Sequence, residues 1–240
     1  MSEIRTDPLT GFTTIFAPER ARRPIKLSEN ASHYVPTQEQ IDSDPFAEGK
    51  ESETTPELYA IRSPDTRANQ PGWKLRVVAN KYPALTPVSD AEEYGVHEVI
   101  VECPQFETQV SRLSPTQFQY MFQAYRQRVA AHRDDPRINY ALIFKNQGIL
   151  GGASLGHVHS QLLASYLIPQ ALQQEVQQAR EYQSEHGCSL FKTLAQDSAD
   201  GFSGRGMSTD YFDIICPYAS RFAFETWVIP RSLKTHFDHS

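Results

Sequence analysis

The pattern His157-x-His159-x-Gln161 follows directly on a glycine-rich run, Gly151-Gly152-Ala153-Ser154-Leu155-Gly156. On a β-strand alternate side chains share a face, so the two imidazoles and the amide point the same way. An imidazole whose second ring nitrogen donates to a fixed carbonyl is a good phosphorus nucleophile. The amide hydrogens of such a loop, with Ser154, suit phosphate oxygens. The chemistry indicated is phosphoryl or nucleotidyl transfer. Taken alone, the triplet reads equally as a metal-ligand pair or as two unrelated histidines. Arg20, Arg22 and Arg23 form the densest basic cluster; guanidinium forks match a diphosphate, although a charge run of this kind is more often a solvated surface.

A chain of 240 residues, 39% of them hydrophobic, makes one large domain or two small ones and has the apolar surface to fold. Its 23 Lys+Arg against 29 Asp+Glu leave a net charge of -6, which removes the general attraction that drives nucleic-acid binding. No apolar run approaches the ~20 residues of a membrane span, and Met1 to Arg23 is polar where a secretory signal would be apolar. A soluble, cytoplasmic protein with neither membrane nor nucleic-acid partners is expected. Cys103, Cys188 and Cys216 form no CxxC pair and read as reduced core thiols.

The elements that must position the histidines follow from spacing. Residues 30–72 hold Pro36, Pro45, Pro56, Pro64 and Pro71 among polar residues, which predicts a surface excursion with no long helix or central strand. Trp73 to Ala79 and Glu98 to Cys103 read as adjacent strands. Ser114-Pro115-Thr116-Gln117 is a helix start, and Phe118, Met121, Phe122, Tyr125 and Val129 then form a stripe for packing on a sheet. Ile138 to Phe144 reads as a buried strand, Gln147 to Gly156 as a loop, and His159 to Tyr166 as a strand. Pro169 opens a helix with Leu172, Val176, Ala179 and Tyr182 on one face, closed by Gly187. Residues 188–209 have loop composition, and Tyr211 to Cys216 and Phe222 to Ile229 read as a final pair of strands.

Six segments, in order, resemble the galactose-1-phosphate uridylyltransferases of the histidine-triad superfamily: RTDPLTG (5–11), APERARRP (17–24), RVVANKYPAL (76–85), GVHEVIVECP (95–104), FKNQG (144–148) and GASLGHVHSQ (152–161). The last two are most similar to the branch that includes ADP-glucose phosphorylase. The resemblance implies an α+β fold, a histidine-triad-like antiparallel sheet flanked by helices with an incomplete second half. Residues 1–186 would form the nucleotidyltransferase half, and residues 187–240 a linker and the opening hairpin of a second half. It also implies double displacement. His159 matches the family nucleophile, which attacks the α-phosphorus of a nucleoside diphosphate sugar, and His157 and Gln161 complete the catalytic set. Gln161, Ser154 and Asn146 match phosphate-side positions, Asn80 a nucleotide-side one, and Gly152 belongs to the phosphate loop. Position within the motif favours Arg20 and Arg23 over Arg22 as substrate contacts. A nucleoside diphosphate sugar and a sugar 1-phosphate are the implied partners, and no cofactor is implied.

Two departures stand out. Many family members hold a structural zinc with a Cys-Pro-x-Cys segment, a later histidine and the first triad histidine. Here those positions read Asp44-Pro45-Phe46-Ala47 and Phe106, with only His157 retained, so no structural zinc is expected. The second is length: residues 211–229 resemble only the opening of the family's second half, and their apolar side chains are expected to dock on the first half or to pair with a second chain in a homodimer. The alternative functions are a catalytically weak nucleotide-binding paralogue and a histidine-triad nucleotide hydrolase.

Overall fold

The structure, a computed structural model, describes residues 3–6, 13–22, 36–88, 94–148, 150–200, 206–217, 223–232 and 237. The chain separates into two compact units, Met1–Ile168 and Pro169–Ser240. The boundary expected at 186/187 would leave the helix after Pro169 in the first unit; here it groups with the second, where it packs on the helix that follows.

In the first unit, strands β1 (Glu3–Thr6) and β2 (Thr13–Phe16) pair as an antiparallel ribbon. A one-turn helix α1 (Gln38–Asp42) carries a capping box on Thr37 and Gln40. Then come β3 (Glu57–Arg62), β4 (Trp73–Ala79), β5 (Gly95–Val101), helix α2 (Pro115–His132), β6 (Tyr140–Phe144) and β7 (His159–Ser165). The last five strands form one sheet in the order β3-β4-β5-β7-β6, antiparallel at every pair. This is the α+β arrangement expected, an antiparallel sheet with a helix laid on it.

Period-two alternation divides the sheet into a core face and a site face. Leu75, Val77, Ile100, Leu162 and Ala164 turn toward α2 and meet Met121, Ala124 and Tyr125. Each fully buried Leu or Ile here contributes about 1.5–3 kcal/mol. On the opposite face Val78, Val99 and Val101 form a second cluster with Phe46 and Ala60, joined by Trp73, which lies beyond the register shift between β3 and β4 that interrupts the alternation. Helix α2 begins as its sequence dictates: Ser114 Oγ accepts from the Gln117 amide at 3.1 Å, with Pro115 at the first helical position. The stripe is rotated slightly from expectation, because Ala124 takes a core place while Phe122 is half exposed.

The segment 36–72 is more than a surface excursion. It supplies the edge strand β3, which its prolines flank without interrupting, and it buries Asp44 and Glu51. Glu51 explains part of this, because its carboxylate accepts from the Trp73 indole at 2.7 Å. Strand β6 is an edge strand, with Leu142 exposed, where a fully buried strand was expected.

In the second unit, α3 (Gln170–His186) ends at Gly187, whose φ of 70° is the left-handed cap that glycine adopts without strain. Residues 188–209 are not all loop: Leu190–Asp200 form helix α4, started by the Thr193 amide on the Ser189 carbonyl. Its short length and its Ser, Asp and Thr content hide it in composition. Strands β8 (Gly206–Ser208), β9 (Phe212–Ile215) and β10 (Trp227–Pro230) make a three-stranded antiparallel sheet. Ile215 and Ile229 of this sheet are buried with Leu194 and Trp227. Both final strands are shorter than expected, and Phe222 lies outside the described residues. Of the cysteines, only Cys103 is a buried thiol; Cys188 and Cys216 are exposed.

Candidate active site

Strand β7 begins at His159, where the ladder to Val101 of β5 ends. His159 and Gln161 therefore share the site face, and with Asn80, Gly152 and Ser154 they line one cavity of about 410 Å³. The cavity size suits a small-molecule ligand. Its remaining lining includes Phe46, the run 52–55, Lys81 and Tyr82. Asn146 borders a small adjoining recess with His157 and His159, and a Cβ built on Gly152 would come 3.8 Å from its Nδ2. Gly152 has a φ of 78°, so the turn beside the nucleophile candidate needs glycine on backbone grounds.

His159 Nδ1 lies 2.7 Å from the carbonyl oxygen of His157. A carbonyl can only accept, so Nδ1 carries the hydrogen and the neutral ring keeps its lone pair on Nε2. Burial, the largest influence, holds the His159 pKa below the usual histidine value. The result is a neutral imidazole with an available nitrogen on the cavity side.

His157 is one step outside the strand, and it does not line the large cavity. Its Nδ1 is 2.6 Å from Asp44 Oδ2 and its Nε2 is 2.9 Å from the Cys103 carbonyl. Both partners are acceptors, and the ring ties the Asp44 carboxylate to the Cys103 backbone in a buried cluster. Its part is to hold the carbonyl on which His159 leans. The Cys103 thiol beside it is pushed up to about 12, first by burial.

Behind the site, on the α2 face, Ser160 and Tyr125 both reach Glu102 Oε1, at 2.5 and 2.7 Å. Lys145 pairs with the other Glu102 oxygen and donates to the His159 carbonyl at 3.0 Å. This cluster fixes the backbone of β7 from below.

Neither arginine proposed for phosphate contact can be placed. The Arg20 backbone belongs to a short 3-10 helix, Pro18–Arg22, but its side chain and all of Arg23 lie outside the described residues. Arg22 pairs with Glu19 at 2.9 Å on the surface. Several contributors escaped sequence reasoning: Lys81 at the cavity wall, Lys145 beneath the strand, and His97, which binds Gln161. All three fall inside the segments 76–85, 95–104 and 144–148 that carry the family resemblance, but nothing in their spacing marks them.

A tetrahedral zinc does not fit the residues at the positions considered for it. His157 has both nitrogens engaged, and the rings of Phe46 and Phe106 stand edge-on to it at 6.1 and 5.8 Å. Among the described residues, no three His, Cys, Asp or Glu side chains are grouped to hold a metal ion.

An antiparallel sheet here presents a buried histidine beside a glycine loop, an arrangement that is chemically able to support phosphorus transfer through an imidazole. Residues 1–169 match the N-terminal domain of galactose-1-phosphate uridyl transferase, and the chain belongs to that family. It is 33% identical over 252 residues to the ADP-glucose phosphorylase of Arabidopsis thaliana, covering 99% of this chain and 68% of that protein. It is 23% identical over 239 residues to the galactose-1-phosphate uridylyltransferase of Thermotoga maritima, covering 96% and 67%. The crystal structure of an Arabidopsis thaliana ADP-glucose phosphorylase with bound ADP-glucose superposes with a TM-score of 0.72 at 31% identity, over all of this chain and 71% of that one.

Proposed function

We propose that this protein is a nucleotidyltransferase. It moves a nucleoside monophosphate between a nucleoside diphosphate sugar and a sugar 1-phosphate or inorganic phosphate, through a covalent intermediate on His159. The observation that carries this reading is the Nδ1 hydrogen bond to the His157 carbonyl, which leaves Nε2 unprotonated beside the cavity. Nε2 attacks the α-phosphorus; the N–P bond forms as the P–O bond to the sugar 1-phosphate breaks, and that phosphate leaves with the electron pair. The ring becomes cationic, and the Nδ1–H bond to His157 strengthens accordingly. An acceptor phosphate oxygen then displaces the histidine and restores the neutral ring. The Gln161 amide, Ser154 and the loop amides donate to oxygens on which charge develops.

The Arabidopsis relative with bound ADP-glucose supports an adenylyl donor as the first to test. Incubation with ADP-glucose, and separately with UDP-glucose, should add one nucleoside monophosphate to the intact protein mass, and His159→Ala should abolish the adduct. An adduct that persists in His159→Ala, or no adduct from either sugar nucleotide, refutes the reading. Release of free nucleoside monophosphate in the absence of an acceptor would make the enzyme a hydrolase.

A further inference from the structure

We infer that His97 is a positioning residue that sets which end of the Gln161 amide faces the cavity. The inference rests on the transfer reading for its consequence, while its geometry stands apart from it. His97 lies on β5 at 4% exposure. Its Nδ1 receives the Ala84 amide hydrogen at 2.9 Å. A backbone amide can only donate, so in the neutral ring the hydrogen is on Nε2. That hydrogen must go to an acceptor, and Gln161 Oε1 stands 2.9 Å away. From a second direction, the Tyr82 amide donates to Asn80 Oδ1 at 2.9 Å. This turns Asn80 Nδ2 outward, 3.3 Å from the same Gln161 oxygen.

Two backbone amides of one loop, those of Tyr82 and Ala84, thus dictate the polarity of the chain of side chains. Asn80 Nδ2 also lies 3.1 Å from His97 Nε2, but both nitrogens are donors, so that contact carries no hydrogen bond and both groups direct a hydrogen at the Gln161 oxygen. The Gln161 NH2 group is left for the cavity, the orientation that donates to phosphate oxygens. A flipped amide would instead present a lone pair to an anion and repel it. His97 touches no reacting atom; it acts through Gln161.

The tautomer, the variant rates and the double variant decide this. Nitrogen-15 NMR of the intact protein should show His97 as the neutral Nε2–H tautomer, and an Nδ1–H tautomer overturns the inference whatever the activity. His97→Phe should slow protein nucleotidylation at saturating ADP-glucose by ~100-fold, the scale of one lost transition-state donor, with little change in KM. His97→Gln, which keeps an N–H near the same place, should recover most of that rate. Because His97 works through Gln161, His97→Phe added to Gln161→Ala should cost nothing further. Losses that multiply, or a Gln variant as slow as Phe, mean that His97 only supports the fold. If the wild-type protein is never nucleotidylated, the transfer reading fails, and the tautomer and the effect of His97→Phe on ADP affinity decide the role of His97. An ADP affinity that falls about tenfold in the Phe variant supports the role, and an unchanged affinity removes it.

Discussion

The two histidines of the motif do opposite jobs because of what their ring nitrogens meet. His159 meets one carbonyl and keeps a free lone pair; His157 lies between a carboxylate and a carbonyl and ties the two together. Removing the carboxylate while leaving the ring buried strands a donor, so Asp44→Ala should cost about 3 kcal/mol, read as a lower denaturant midpoint with unchanged slope. A loss under about 0.5 kcal/mol would show that the pair contributes only packing. The lowered His159 pKa has a definite sign. The folded state resists protonation more than the unfolded one, so this histidine's contribution to stability is complete above the ordinary histidine value near 6.5 and declines as pH falls below it. Nucleophile availability follows the same direction. The rate of adduct formation should stay level down through pH 6.5 and fall only in more acidic buffer; a fall centred above 7 contradicts burial as the dominant influence.

Strands and helix α2 were legible because their signals are local. Ser114-Pro115 fixes the start of α2, and alternation on β4, β5 and β7 fixes which residues reach Tyr125 and which reach the cavity. His159, Gln161, Ser154, Gly152 and Asn80 could be nominated from motif position, and they meet at one cavity. The pairing of Asp44 with His157 spans 113 residues and that of His97 with Gln161 spans 64, so no local pattern could reveal either. Helix α4 was missed because a single turn-rich helix of 11 residues carries few core positions. The close approach of β5 to β7 offers a test at this scale. A Cβ on Gly95 would come 2.7 Å from the Ala164 carbonyl oxygen and 2.6 Å from Leu85 Cδ1. Gly95→Ala must push the strands apart, and a cost of about 1–3 kcal/mol is expected by chemical denaturation; a neutral variant would mean that the ladder slides to absorb it.

Across the whole chain, the described residues contain no helix long and apolar enough to cross a membrane. In the second unit, Met207, Ile214 and Val228 are aligned by register, and Met207 and Val228 are largely exposed together with Phe212. Such a face favours self-association. The proposed homodimer is tested here: Val228→Lys should reduce concentration-dependent scattering and sedimentation, and identical behaviour of variant and wild type would remove this face from consideration. A different consequence follows from where the cavity walls come from. Strand β7 has hydrogen-bonded neighbours on both sides, β5 and β6, while Phe46, whose ring stands edge-on to His159 at 5.3 Å, and residues 52–55 reach the cavity from outside that sheet. Amides of His159 to Ser165 should therefore exchange with deuterium only through global opening, and those of 52–55 through cheaper local opening. Under the proposed transfer reading, mild denaturant should erode affinity for ADP-glucose before it exposes His159, so binding would fail while that histidine is still folded.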